Sequence, residues 1–323
     1  MYTIRKLSTM KKILIVGAGG QIGSELVTYL RGLYGNGNVV AADLRQSERL
    51  AADGPFEILD ALDAERYAEL VRKYGIDSIF NLAALLSAKG EANPTLAWKI
   101  NIGALTNSLE VARQYNCALF TPSSIGAFGG DFPRDNTPQD TIMQPNTMYG
   151  VCKVTGELLS NYYHTRFGVD TRSVRFPGII SNVTLPGGGT TDYAVEIYYA
   201  AVKGERFVCP VSSNVYMDMM YMPDALRATV ELMEADPAKL KHRNSFNIAS
   251  MSFTPEIIYA EIRKRLPEFE MVYDVDPVKE AIAESWPNKL DDTCAREEWG
   301  WKPQWDLSSM TDDMLRAVRA KNL

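Results

Sequence analysis

KILIVGAGGQIG, residues 12–23, is the stretch whose reading decides the fold. Four apolar residues, Ile13 to Val16, run into a glycine-rich turn, and an amphipathic stretch, ELVTYLRGL, follows at once. Strand, turn and helix in that order open a βαβ unit. Gly17, Gly20 and Gly23 stand at G-x-x-G-x-x-G spacing. Glycines so placed let the backbone turn sharply and approach a pyrophosphate, whose charge then rests on the helix N-terminus. Gln21 and Ile22 lie in the same turn and are expected beside that ligand. A sharp strand-to-helix turn without a ligand is the plain alternative, and the context argues against it. Asp43 closes the next apolar run, NVVAAD, 20 residues beyond Gly23, where a dinucleotide fold places its ribose-binding acid.

Asp43 also chooses the cofactor, because a carboxylate there accepts the ribose hydroxyls of NAD and repels the extra phosphate of NADP. NAD is therefore expected, with Arg45 as a surface or adenine-stacking residue. Asp60, ending the third apolar run, is a second acid at a strand edge where ligands of open α/β sheets collect. Its competing role is to cap the ERYAEL helix, for which Asp63 is better placed.

Working outward, KILIVGA, NVVAAD, PFEILD, SIFNLAA, ALFTPSS and TRSVRF read as buried parallel strands. Amphipathic stretches such as ERYAELVRKYG and TLAWKINIGALTNSLEVARQYN separate them. This is β-α-β repetition, hence an α/β doubly wound parallel sheet, a Rossmann fold, over about residues 11–176. After residue 176 the rhythm loosens into SNVTLPGGGTTD, a helix from Tyr193 to about Val202 and the strand-like FVCPV. A smaller α/β substrate lobe over 177–323 is expected. The segments near 212–230 and 244–250 are expected to pack back on the first domain.

The 323 residues carry 34 basic and 40 acidic side chains, a net charge of −6, which gives no basic field for nucleic acid or an anionic membrane. A small-molecule protein fits better. Four cysteines, Cys117, Cys152, Cys209 and Cys294, lack CxxC spacing and point to a reducing cytoplasm. The two histidines, His164 and His242, have no neighbours at ligand spacing, so no metal is expected. No apolar run approaches the ~20 residues of a membrane span. The opening MYTIRKLST is acid-free. It suits an upstream start before Met10 or a disordered tag better than a shortened transit peptide.

MYGVCK, residues 148–153, sets Tyr149 four positions before Lys153, on one helix face. Such a pair alone often serves only solubility. Joined to NLAA at 81–84, Asn101, PSSIGAFG at 122–129 and the glycine turn, it resembles the extended short-chain dehydrogenase/reductase family, the group that includes nucleotide-sugar epimerases. The resemblance runs from about residue 11 to the C-terminus. Within the family it is strongest to the short-chain threonine 3-dehydrogenases, on LLSAKGE, PRDNTPQDTIMQPNTMYG, RFPGIIS, PGGGTTDYAVEI, MMYMPDALRA and NIASMSFTPEI.

The resemblance implies that Tyr149 is the general base, that Lys153 stabilises its phenolate and holds the nicotinamide ribose, and that Ser124 bridges Tyr149 and the substrate oxygen. Ser123 is the neighbour with which Ser124 is easily confused. Many threonine dehydrogenases carry threonine there, a change of bulk that keeps the hydroxyl. Further cofactor contacts are implied at Asp60 and Ala61, at Leu82, Ala83 and Ala84, at Asn101 and at Pro177. Cys152 is expected only to pack. For the substrate end, Ser87 and the pair Thr190 and Thr191 after the glycines 187–189 offer hydroxyls on a loop that can close over a small molecule. Trp286, in ESWPNKLDD, also matches the family but receives no role.

The resemblance implies NAD-dependent oxidation of L-threonine at C3 to 2-amino-3-oxobutanoate. A nucleotide-sugar epimerase or dehydratase with bound NAD is the alternative. A non-catalytic NAD sensor is less fitting, since it needs none of Tyr149, Lys153 and Ser124. Two apolar helices, around 98–114 and 146–163, are expected to pair in a homodimer as they do in the family.

Overall fold

The structure, a computed structural model, describes residues 10–185 and 189–321. The opening MYTIRKLST and Gly187 and Gly188 of the triple glycine lie outside the described residues.

Six parallel strands form the central sheet: Ile13–Val16, Val39–Asp43, Phe56–Ile58, Ser78–Asn81, Ala118–Phe120 and Thr171–Arg172. Across the sheet the order is third, second, first, fourth, fifth, sixth. Ile13 stands level with Val39 on one side and Ser78 on the other. All four residues of the first strand are buried, which is why it reads as a continuous apolar run. Ile13 and Ile15 enter a core with Leu26 and Leu30 of helix Gln21–Tyr34 and with helix Met222–Glu234. Leu14 and Val16 enter the opposite core, with Tyr67, Leu105 and Leu109. The sheet is thus wound on both faces.

Helix Ala64–Tyr74 starts at Asp63, whose side chain accepts from the Arg66 amide at 2.9 Å, and ends at Gly75 in the left-handed conformation. Asp63, not Asp60, is its cap. A ladder of Ser123–Ser124, Val174–Phe176 and Phe246–Asn247 continues from the fifth and sixth strands, parallel throughout. A second three-stranded sheet joins Gly178–Ile180 in parallel to Met217–Tyr221, which pairs antiparallel with Met251–Phe253. A third core packs Met217, Met219 and Tyr221 against helices Tyr193–Lys203, Pro255–Arg263 and Leu307–Arg319.

The order reverses between the first and fourth strands, so the loops leaving their C-terminal ends part and leave a crevice. That switch point positions the site.

Candidate active site

The glycine turn meets the loop after the fourth strand at that crevice. Gly17 has φ +82°, and a Cβ on it would lie 2.7 Å from the Ala83 nitrogen. A Cβ on Gly23 would lie 2.2 Å from the Gly17 carbonyl oxygen. Neither neighbour can yield, being backbone. Gly20 is less constrained and is the residue from which helix Gln21–Tyr34 starts. Asp43 closes its strand beside this turn: one carboxylate oxygen accepts from the Gly19 amide at 2.8 Å, the other from the Arg45 amide at 3.4 Å.

Tyr149 and Lys153 rest on helix Met148–Phe167, capped by Thr147, whose hydroxyl accepts from the Gly150 amide at 3.1 Å. A Cβ on Gly150 would lie 2.2 Å from the Gly126 carbonyl oxygen, so this helix is pressed directly onto the turn Ile125–Ala127. A Cβ on Gly126 would in turn reach 3.2 Å from the Tyr149 ring and 3.4 Å from the Ser124 hydroxyl. Two small residues thereby bring Tyr149 and Ser124 together. The Lys153 ammonium lies 5.3 Å from the centroid of the Tyr149 ring and donates to the Pro122 carbonyl at 2.6 Å. Ser123 and Ser124 diverge: Ser123 donates to buried Glu157 at 2.5 Å, whereas Ser124 accepts from the Gly126 amide at 3.0 Å.

Around these groups opens a cleft of about 260 Å³. Gly17, Gly20, Gln21, Ile22 and Gly23 line its floor, and Leu82, Ala84 and Ser87 one side. Ser124, Tyr149 and Lys153 stand opposite Pro177, Thr190 and Thr191. Ala83 and Asn101 border a smaller chamber of about 40 Å³ behind Lys153. Both amide groups of Asn101 are bonded to the backbone of Leu85, which fixes the loop after the fourth strand. Asp43, Arg45, Asp60 and Ala61 lie outside the cleft lining, along the strand edge that continues it. Asp60 accepts from the Leu62 amide at 2.9 Å, and the Ala61 carbonyl from Asn107 at 2.9 Å. Burial raises the pKa of the Cys152 thiol, which faces the small chamber.

Trp286 and Asp192 also line the cleft. Sequence reasoning gave Trp286 no role and passed over Asp192. Trp286 is far from the triad in sequence and carries no spacing signal. Asp192 ends GGGTTD, where its carboxylate accepts from the Gly189 amide at 2.6 Å, and an acid directly after the Thr190–Thr191 pair was the available hint.

The residues present fit a dinucleotide: Gly17 and Gly23 leave a cradle that any side chain would fill, and the Gln21 amide nitrogen is buried at the cleft floor without a hydrogen-bond partner. A sequence profile described as the NAD dependent epimerase/dehydratase family matches residues 13–249. The chain belongs to that family. It is 57% identical to an uncharacterised epimerase/dehydratase of Staphylococcus aureus strain MRSA252, over 97% of this chain and 98% of the relative. Among solved structures it resembles an L-threonine dehydrogenase from Clostridium difficile, with 55% identity, TM-score 0.95, and 97% and 98% of the two chains covered. A GalE-like L-threonine dehydrogenase from Cupriavidus necator, in its holo form, gives 50% identity, TM-score 0.93, and 95% and 99% coverage. A UDP-glucose 4-epimerase from Thermotoga maritima, at 22% identity and TM-score 0.84, shares the fold. The protein is an NAD-dependent dehydrogenase of this family and acts on a small molecule.

Proposed function

We propose that the chain oxidises L-threonine at C3 to 2-amino-3-oxobutanoate, with Tyr149 as the base. The charge of the cleft carries this reading. Among the described lining residues Lys153 is the sole Lys or Arg, and Asp192 the sole acid. A nucleotide sugar brings a diphosphate that calls for cations beyond those serving the cofactor. A zwitterionic amino acid needs hydroxyls and one carboxylate, and Ser87, Ser124, Thr190, Thr191 and Asp192 supply them. The neighbours at 50–55% identity are themselves L-threonine dehydrogenases, which supports the same reading.

Tyr149, with Lys153 one turn away on the same helix face, takes the proton of the C3 hydroxyl while Ser124 orients that oxygen. Bound NAD supplies the hydride acceptor for the C3 hydrogen. The glycine turn and Asp43 would hold the pyrophosphate and adenosine ribose, and Lys153 the second ribose.

The test is NADH formation over a panel of 3-hydroxy amino acids, with UDP-sugars assayed in parallel. L-threonine should be the preferred substrate, and Tyr149→Phe should abolish nearly all turnover while NAD affinity stays within a few-fold. A wild-type protein that forms no NADH with L-threonine but interconverts a UDP-sugar overturns the reading.

The reading extends to a homodimer in the cytoplasm. Trp98, Val151, Leu158 and Tyr162 leave apolar surface on helices Pro94–Tyr115 and Met148–Phe167. The four cysteines are free, as a reducing compartment requires, and no helix among the described residues is long and apolar enough to cross a membrane. Light scattering on the purified chain decides the oligomer, since a relative of 43% identity is described as monomeric.

A further inference from the structure

Trp286 belongs to a turn that no element of regular structure holds. Its carbonyl accepts from Arg134 at 3.0 Å, and the Asn288 and Lys289 amides donate to the Arg134 carbonyl. Thr137 pairs with Leu290 as an isolated bridge. These bonds tie the turn to segment 134–137, itself a loop. Two contacts reach the rigid sheet instead. Ser252 donates to the Asn288 carbonyl at 2.6 Å, and the Leu290 amide donates to Asp218 at 2.7 Å.

Asp218 is the second residue of strand Met217–Tyr221 and is fully buried. Beside the Leu290 amide, the Ser250 amide also faces its carboxyl group. No cation touches this group; a carboxyl in such a place is costly, and nothing in packing the strand calls for one. Trp286 and Leu290 share one apolar cluster with Ile125 and Phe128, directly after Ser124. The bond from Asp218 to Leu290 therefore ends in the apolar cluster through which Trp286 and Ile125 reach the cleft.

We propose that Asp218 is a positioning residue for substrate: its buried carboxyl group anchors the 286–290 turn to the sheet and thereby sets the face that Trp286 presents to the bound amino acid. The inference rests on the threonine reading for its kinetic readout, and on none for its spectroscopic one. Burial pushes the carboxyl up to about 8, with Asp292 acting in the same direction and Lys289 and the Leu290 and Ser250 amides against it. One carboxyl oxygen accepts from the Leu290 amide, and an asparagine side-chain oxygen can copy that bond.

Asp218→Ala should raise KM for L-threonine about three- to ten-fold, the scale of one hydrogen bond, with kcat and NAD affinity nearly unchanged. Asp218→Asn should restore KM to within about two-fold of wild type, because the amide oxygen still accepts from Leu290. Acrylamide quenching of Trp286, taken as the difference from the Trp286→Phe protein, should rise in Asp218→Ala and return in Asp218→Asn. Should Asp218→Ala fail to fold, Ser252→Ala removes the turn's other tie to the sheet and should raise both KM and quenching in the same sense. Unchanged KM and quenching in Asp218→Ala overturn the proposal, as does an Asp218→Asn protein no better than the alanine. If wild type ignores threonine while the quenching pattern holds, the substrate assignment fails and the anchor stands.

Discussion

Glu157→Gln tests the floor beneath the catalytic helix. Glu157 follows Lys153 by one turn and meets Arg175 through two bonds, 2.9 Å to Nε and 2.8 Å to Nη2, with both side chains almost wholly buried, at 5% and 4% exposure. Ser123 adds a third bond to the same carboxylate. Arg175 also donates to the Gln139 carbonyl and to Asn247, and packs over the Phe128 ring. Glutamine keeps the shape and removes the charge, so a guanidinium is left buried with neutral acceptors alone. Breaking such a pair on one side costs about 3–5 kcal/mol, whereas replacing both partners by apolar residues is often neutral.

For a chain of 323 residues each kcal/mol moves the thermal midpoint by roughly 1.5 °C, so a loss of about 4–7 °C is expected. Urea and thermal unfolding of Glu157→Gln and of the double variant Glu157→Leu/Arg175→Met measure it. The double variant should recover most of the loss. A single variant within about 1 kcal/mol of wild type, or a double variant weaker than the single, refutes the reasoning, since either shows that the unpaired charge is not what costs stability.

Gly23→Ala should weaken NAD binding and cost about 1–3 kcal/mol of stability, because the methyl group would meet the Gly17 carbonyl at 2.2 Å; calorimetric titration with NAD checks it, and an affinity equal to wild type counts against the cradle. Asp43→Asn should narrow the preference for NAD over NADP, as a neutral group replaces the one that repels the phosphate; paired kcat/KM values for the two cofactors that keep their ratio would move the discriminating contact elsewhere. Asp218 sets a pH dependence: its folded pKa, about 8, lies above the ~3.9 of an unfolded aspartate. The folded chain keeps a proton that the unfolded chain has released, so this contribution is complete below pH ~4 and is lost as pH rises toward 8. The thermal midpoint of wild type should fall more than that of Asp218→Asn between pH 5 and 8, and parallel curves would sink the assignment.

How much of this was legible beforehand differs between fold and site. The apolar runs name the six strands of the sheet, most plainly where a parallel strand is buried on both faces and leaves no polar alternation; the third, Phe56–Ile58, was expected to be buried but lies at the sheet edge with Phe56 and Glu57 half-buried and Ile58 exposed. Asp63 was readable as a cap because the signal is local, a side chain reaching an amide three residues on. The short ladder through Phe246–Asn247 has no such local mark. It exists only once Val174–Phe176 stands beside it.

The site divides along the same line. Gly17, Gly23, Tyr149 and Lys153 could be expected at one cleft because their spacing along one strand-turn-helix or one helical turn is local, and the structure brings them together there. The choice of Ser124 over Ser123 rested on the resemblance alone; the structure adds that Ser123 is taken up by Glu157, 34 residues later. Trp286 and Asp218 are further still from any local rule: the residues they serve arrive from other segments, and the sequence shows only a tryptophan in a loop and an acid in a methionine-rich strand. The substrate obeys the same logic. A glycine turn and a Tyr-Lys pair fit a sugar epimerase and an amino acid dehydrogenase alike, and a fold shared with a UDP-glucose 4-epimerase does not choose between them. What separates the two is the charge that distant segments bring to the cleft wall. Here those segments contribute hydroxyls, one carboxylate and an indole, and that supports a small zwitterion over a diphosphate.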